Sequence, residues 1–223
     1  MEYEIRRSNR RTMSLTVDKN SGSVIVRAPL GVPAEKIESF VTSKLGWVTK
    51  HTDEAKARGN ARVQRLSDNP TELPFLGEMC PVDHDKPYGY SDGHFHLPDN
   101  VSLEKLIPYL RRLYSGIAKE TLTSRTRLLA DRMGIAVTNV RINSARTRWG
   151  SCSSEGSINL SWKLIAADPG LIDYVIVHEL CHTVHMDHSP AFWETVEQVI
   201  PDYTERRTAL KEVQKNLSEF GLD

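Results

Sequence analysis

Hydrophobic and polar residues alternate in two short segments near the amino terminus. Met13–Val17 and Ser23–Val26 each have the period of a half-buried strand, and the intervening Lys-Asn-Ser-Gly at 19–22 suits a tight turn, so we expect a hairpin. Pro33 then opens a segment with apolar residues at helical spacing, which predicts one helix before the polar, linker-like stretch 57–69. The apolar positions of this helix are Ile37, Phe40, Val41, Leu45 and Val48.

The middle of the chain changes from short strands to a long helix. Residues 73–77 and 95–97, separated by Gly, Pro and Asp, predict short strands around a loop. Helical spacing then runs from Val101 to Met133, where Gly134 ends it and Pro108 lies near its start or at a kink. The expected buried face of this helix is Leu103, Leu106, Leu110, Leu113, Ile117, Leu122 and Leu128.

The last third predicts two more strands, 137–142 and 157–162, on either side of a loop at 146–154. Asp168 is a good N-cap and Pro169 a good first residue for a helix that is apolar on most sides and is therefore expected to be buried. These elements predict an α+β fold. We expect a β-rich region with one helix at 1–100 and a helical catalytic domain with a small antiparallel sheet at 101–223.

The helix after Asp168 carries the sequence His-Glu-Leu-Cys-His at 178–182, which matches H-E-x-x-H. Residues four apart share one face of a helix, so His178 and His182 can bind one metal ion, with Glu179 beside it. Zinc with two or three protein ligands keeps a position for water, and it lowers the pKa of that water toward about 7. A neighbouring carboxylate can then accept the proton. The motif therefore predicts metal-dependent hydrolysis.

A third ligand must come from beyond the helix. A helix continued to His185 would place that residue roughly 10 Å along the axis from His178, too far for one ion. Residues 186–190 can turn the chain back, with Ser189 and Pro190 starting another helix, so His188 is the expected third ligand. His185 occupies a position that is glycine in a longer zinc motif, and we favour a supporting or packing role for it over ligation. Weaker alternatives for the third ligand are Glu194 and Glu197.

Composition narrows the functional classes further. The 223 residues are 39% hydrophobic and contain 29 Lys+Arg and 29 Asp+Glu, so charge gives no argument for nucleic acid or a membrane surface. No apolar run is long enough to span a bilayer, and the first residues lack the core of a signal peptide, so we expect a cytoplasmic protein. The three cysteines form no C-x-x-C pair and are expected to be small buried residues.

Two groups of residues have an ordinary interpretation beside a functional one. The basic run of Arg6, Arg7, Arg10 and Arg11 could contact nucleic acid, but most such runs are solvated strand faces, and we do not expect a nucleic-acid partner. Phe192 and Trp193 could line a substrate pocket, but aromatic residues that open a helix more often pack in the core.

Several motifs together resemble one protein family. The segments 146–152 (Arg-Thr-Arg-Trp-Gly-Ser-Cys), 158–160, 178–182 and 188–193 are similar to the YgjP-like metallopeptidase family, as are 6–15 and 27–33 nearer the amino terminus. SprT-type proteases are more distant relatives. The resemblance implies a zincin-like catalytic domain, a strand before the active-site helix, zinc on His178, His182 and His188, and Glu179 as the base.

Two substrate classes follow from this chemistry. In a peptidase, zinc polarises the scissile carbonyl, and the strand ending near Trp162 would hold the peptide by edge pairing. The alternative is a pyrophosphatase that converts UTP to UMP and diphosphate, as described for one branch of the family, with Arg146 and Arg148 as phosphate clamps. The ordinary interpretation of these arginines is that they pair with carboxylates or support Trp149. We favour the peptidase.

Overall fold

A computed structural model describes residues 2–18, 21–66, 69–145 and 147–222. It divides the chain into two compact units, Met1–Gln64 and Arg65–Asp223. Six helices and three small sheets lie in the described residues, in agreement with a mixed fold of helices and strands. Residues 65–100, which the sequence analysis assigned to the amino-terminal region, lie in the second unit. None of the described helices combines the length and apolar character that crossing a bilayer would require.

The first unit contains a three-stranded sheet followed by two helices. Strands β1 (Glu4–Ser8), β2 (Ser14–Val17) and β3 (Val24–Pro29) are ordered β1-β3-β2. The predicted hairpin is confirmed by antiparallel pairing of β2 with β3, although residues 19 and 20 of its turn lie outside the described residues. The predicted single helix is interrupted at Lys44, giving α1 (Ala34–Ser43) and α2 (Leu45–Leu66).

Strand β1 carries part of the basic run, and sequence periodicity did not predict this strand. Its five residues are exposed, and it pairs in parallel with β3. Arg7 donates hydrogen bonds to the carbonyls of Pro29, Leu30 and Val32, while Arg6 forms an ion pair with Glu4. Two of the four arginines are therefore already engaged by neighbouring groups.

The second unit begins with a four-stranded sheet that positions the later helices. Strands β4 (Glu72–Phe75), β5 (Glu78–Asp83), β6 (Gly89–Ser91) and β7 (His94–His96) are ordered β4-β5-β7-β6. At the turn between β4 and β5, the amides of Leu76 and Gly77 donate to the carbonyls of Ile165 and Ala166. Gly77 has a φ of +88°, and a Cβ there would lie 2.8 Å from Asp168 Cα. Only glycine fits this contact.

Helix α3 (Leu103–Met133) is the central support of this unit. It ends, as predicted, at Gly134 in the left-handed conformation, and Pro108 lies inside its second turn. The buried face follows a spacing of nearly four residues and agrees with the prediction at Leu106, Leu110 and Leu122, whereas Leu128 is exposed. Its buried residues are Leu106, Leu110, Tyr114, Ala118, Leu122, Thr126, Leu129 and Ala130.

A second three-stranded sheet precedes the helix with the histidines. Strands β8 (Asn139–Asn143), β9 (Gly150–Cys152) and β10 (Ser157–Ser161) are ordered β8-β10-β9. Strand β10 pairs in parallel with β8 and antiparallel with β9, so the sheet is mixed and the prediction of an antiparallel sheet is wrong. Both edges of β10 are therefore occupied. The expectation that the strand ending near Trp162 binds a peptide by edge pairing is therefore wrong. Local periodicity identifies a strand, but it does not show which strand lies in the middle of a sheet.

A 3-10 helix (Trp162–Ala166) leads into α4 (Pro169–Cys181), α5 (Pro190–Val199) and α6 (Tyr203–Glu219). The predicted start of α4 is confirmed, because the Asp168 carboxylate accepts a hydrogen bond of 2.7 Å from the Gly170 amide. Two arginines anchor α4 to its neighbours. Arg125 on α3 forms two 2.6 Å hydrogen bonds to Asp173, and Arg206 on α6 donates to the Gly170 carbonyl.

Candidate metal centre

The three histidines lie where α4 ends and the chain turns back. His178 lies in the last turn of α4, and His182 is its C-cap. The amides of Val184 and His185 then donate to the Cys181 carbonyl in the turn that follows the helix. Ser189 is the N-cap residue of α5, with Pro190 in its first turn, so the predicted turn returns His188 to the end of α4.

The imidazole nitrogens of these residues converge to the spacing of a metal site. One nitrogen from each of His178, His182 and His188 lies within 4.8 Å of the others. The Nε2 atoms of His178 and His188 are 3.2 Å apart. Two nitrogens bound tetrahedrally to one zinc ion at about 2.0 Å lie roughly 3.3 Å apart, so the donor set fits a divalent ion.

Among the described residues, the group of His, Cys, Asp and Glu side chains that could hold an ion consists of these three histidines. It does not include the imidazole of His185 or the carboxylates of Glu194 and Glu197. His185 contributes through its main chain, because its carbonyl lies 3.0 Å from Nδ1 of His182. A protonated Nδ1 that donates to this carbonyl leaves Nε2 of His182 with the lone pair that a metal requires.

Electrostatics also favour the neutral, metal-binding form of the imidazoles. Burial, followed by the charges of His182, His188 and Arg207, lowers the pKa of His178 to about 4. Burial likewise lowers the pKa of His182. Because a protonated imidazole cannot bind a metal, these shifts keep protons from competing with an ion at neutral pH.

Glu179 lies beneath strand β9. Its side chain is 6% exposed, and burial raises its pKa to about 7, although the positive charge of Arg148 acts in the opposite direction. A Cβ built on Gly150 would lie 2.6 Å from both Cγ and Oε1 of Glu179. The missing side chain of Gly150 therefore makes the space that the carboxylate occupies. Sequence reasoning missed this contact, because the two residues are 29 positions apart.

Aromatic side chains surround the histidines. Phe192 is fully buried, as predicted for a core residue, but its ring centre also lies 4.5–4.9 Å from those of His178, His182 and His188. Trp193 lies 5.7 Å from His178 and 5.6 Å from His188. These two residues thus combine core packing with contacts to the three histidines.

Sequence reasoning also missed Tyr174. It is buried one helical turn before His178, and their ring centres are 6.0 Å apart. The spacing of four residues on a helix was the available signal, because it places both rings on one face.

Of the two arginines predicted to bind phosphate, Arg146 and Arg148, the structure describes only Arg148. Arg148 is exposed and close enough to Glu179 for its charge to affect the pKa of that carboxyl. No ion pair or hydrogen bond within the described residues involves the Arg148 side chain, so the ordinary interpretation as a carboxylate partner receives no support there. Arg146 lies outside the described residues.

Comparisons with known proteins assign the chain to a family. A family model described as "YgjP-like, metallopeptidase domain" matches residues 11–213. A crystal structure of the metallopeptidase zymogen abylysin from Pyrococcus abyssi shares 24% identity over 40% of this chain and 90% of its own, with a TM-score of 0.37. No curated protein matches the chain. Because the family model spans nearly the whole sequence and includes the histidine cluster, the chain belongs to the YgjP-like metallopeptidase family.

Proposed function

We propose that this protein is a zinc-dependent peptidase with a zincin-like catalytic centre, in which His178, His182 and His188 bind the metal and Glu179 is the general base. The observation that carries the proposal is the 3.2 Å separation of the Nε2 atoms of His178 and His188, together with the buried Glu179, which follows His178 on α4. Family membership supports a metal-dependent hydrolase that acts on peptides.

Each residue has a defined chemical role in this proposal. Bound zinc would act as a Lewis acid toward the scissile carbonyl and would lower the pKa of water at the site. The Glu179 carboxylate accepts a proton from the attacking water and then donates it to the departing amine. In the metal-free protein, burial raises the pKa of this carboxyl group to about 7. A bound cation beside it would lower that pKa and so favour the carboxylate form that accepts the proton.

Strand β9 is the expected binding edge for a peptide. It has a strand neighbour on one side, β10, and its Gly150 contacts Glu179. An extended peptide added to its other edge would bring main-chain amides close to the proposed base. Val184 and Met186, which are 61% and 56% exposed between the second and third histidines, offer apolar contact to substrate side chains.

A nucleotide pyrophosphatase remains the second candidate, and Arg148 is the observation that favours it. An exposed guanidinium beside the proposed base can form two parallel hydrogen bonds to a phosphate group. In this alternative, the same glutamate would accept the proton of water that attacks phosphorus. The metal ligands would be unchanged.

One experiment separates the two candidates. We would incubate the zinc-loaded protein and its Glu179→Gln variant with unfolded protein substrates and, separately, with the four nucleoside triphosphates. The peptidase predicts new peptide termini by mass spectrometry, with cleavage at least ~100-fold slower in the variant because general acid–base catalysis is lost. Diphosphate release that depends on Glu179, without peptide cleavage, would replace the peptidase with the pyrophosphatase.

A further inference from the structure

Arg207 lies beside the aromatic residues that support the proposed metal centre. It is an exposed residue of α6, and its guanidinium carbon lies 5.6 Å from the centre of the Trp193 ring. That ring in turn lies 5.7 Å and 5.6 Å from the rings of His178 and His188. One indole therefore contacts both the arginine and two of the three proposed ligands.

These ring distances place the positive charge of Arg207 close to the proposed metal centre, with one indole ring in contact with both.

Arg207 differs from the arginines that hold the helices together. Arg206 pairs with Asp202 at 2.9 Å and with the Gly170 carbonyl at 2.7 Å, and Arg125 pairs twice with Asp173. Within the described part of the chain, Arg207 takes part in no ion pair or hydrogen bond, and its guanidinium lies over the Trp193 ring. Its guanidinium donors are therefore free for a ligand.

A lone positive charge next to a cation site opposes metal binding through like-charge repulsion, and an anion bound between them relieves that repulsion. Stacking on Trp193 restricts the guanidinium and reduces the entropy lost when it binds. We propose that Arg207 binds an anionic oxygen-bearing group of the substrate, a carboxylate or a phosphate, and so determines which substrates the histidine centre accepts. This inference rests on the proposed function, because it requires a metal at the three histidines.

The test uses pairs of small ligands that differ only in the anionic group. In the first pair, succinohydroxamic acid and its methyl ester both bind zinc through the hydroxamate, but only the acid carries a free carboxylate. In the second pair, α,β-methylene-UTP is compared with uridine. Dissociation constants are measured by titration calorimetry on the zinc-loaded full chain, its Arg207→Gln variant and a Lys211→Gln control. Lys211 is an exposed cation one turn further along α6.

We expect the wild-type protein and Lys211→Gln to prefer the anionic member of at least one pair by about tenfold, and Arg207→Gln to lose that preference. Loss in the hydroxamate pair identifies a carboxylate as the recognised group, and loss in the nucleotide pair identifies a phosphate. Equal thermal unfolding midpoints for the two Gln variants exclude a folding defect as the cause.

Two results would overturn the inference, and they are distinguishable. In the first result, both hydroxamates bind equally well to all three proteins, and Arg207→Gln does not change the preference between α,β-methylene-UTP and uridine. The proposed metal centre is then retained, but Arg207 has no role in recognition. If neither hydroxamate binds to the zinc-loaded wild-type protein, the proposed metal centre fails, and the role of Arg207 fails with it.

Discussion

Glu179 shows how one buried residue links stability to chemistry. A carboxyl group that is 6% exposed resists ionisation, and its pKa rises from 4.5 to about 7. The folded protein therefore favours the protonated form. In the metal-free protein, the contribution of this group to stability is fully present below pH 4.5 and is lost as the pH rises through about 7. The ionised form of Glu179, which the proposed reaction requires, therefore destabilises the metal-free folded protein.

Replacement of Glu179 by Gln should remove this pH dependence. We expect the metal-free variant to be more stable than the wild-type protein by under about 1 kcal/mol at pH 5 and by roughly 3 kcal/mol at pH 8.5. Burial lowers the pKa values of His178 and His182, but both residues are present in both proteins, so the comparison isolates the effect of Glu179. Urea unfolding in the presence of a chelator measures the difference. A stability difference that is the same at both pH values would show that the carboxyl group is not desolvated.

At the scale of secondary-structure elements, local chemistry made α4 predictable but did not show which elements pack against it. Asp168 and Pro169 marked the start of the helix, and the spacing of His178 and His182 placed both on one face. Which strand covers the helix depends on pairing between residues far apart in the chain, which periodicity does not encode. The close approach of Gly150 to Glu179 and the position of Arg207 beside Trp193 are likewise tertiary contacts.

The contact between β9 and α4 makes Gly150 a position where a single methyl group should affect catalysis. In Gly150→Ala, the new Cβ would lie 2.6 Å from Cγ and Oε1 of Glu179, so the carboxylate must move. We expect peptide cleavage to fall by about 100-fold, because a displacement near 1 Å in an active site has that order of effect. Zinc content should stay at one ion per chain, because the atoms nearest to the new Cβ belong to Glu179 and not to a histidine.

The matched control is Gly116→Ala on α3, where a Cβ would have no neighbour within 4 Å. It adds the same methyl group to the same unit and should leave cleavage unchanged. Wild-type rates in Gly150→Ala would mean that the carboxylate is not held against β9 during the reaction. Loss of zinc from that variant would instead show that β9 supports the metal ligands.

At the scale of the whole molecule, the proposed metal centre belongs to one of the two units. The histidines, Glu179 and β9 all lie in Arg65–Asp223, which has its own large group of buried hydrophobic residues. The first unit has a separate small core formed by Val26, Ala28, Ile37 and Val41. An ion that binds only the folded site stabilises it by about 4 kcal/mol when its concentration is 1,000 times the dissociation constant.

Zinc should therefore raise the unfolding temperature of the second unit by on the order of 10 °C, since 1 kcal/mol corresponds to about 2–4 °C for a domain of this size. Calorimetry of the full chain with and without chelator measures the shift, and hydrogen exchange locates the added protection, which we expect within residues 65–222.

His188→Ala should lose most of this shift in unfolding temperature, because a proposed zinc ligand is missing. His185→Ala should keep most of it, because the His185 carbonyl that accepts from His182 remains. The opposite order of the two variants would refute the assignment of His188 as the third ligand.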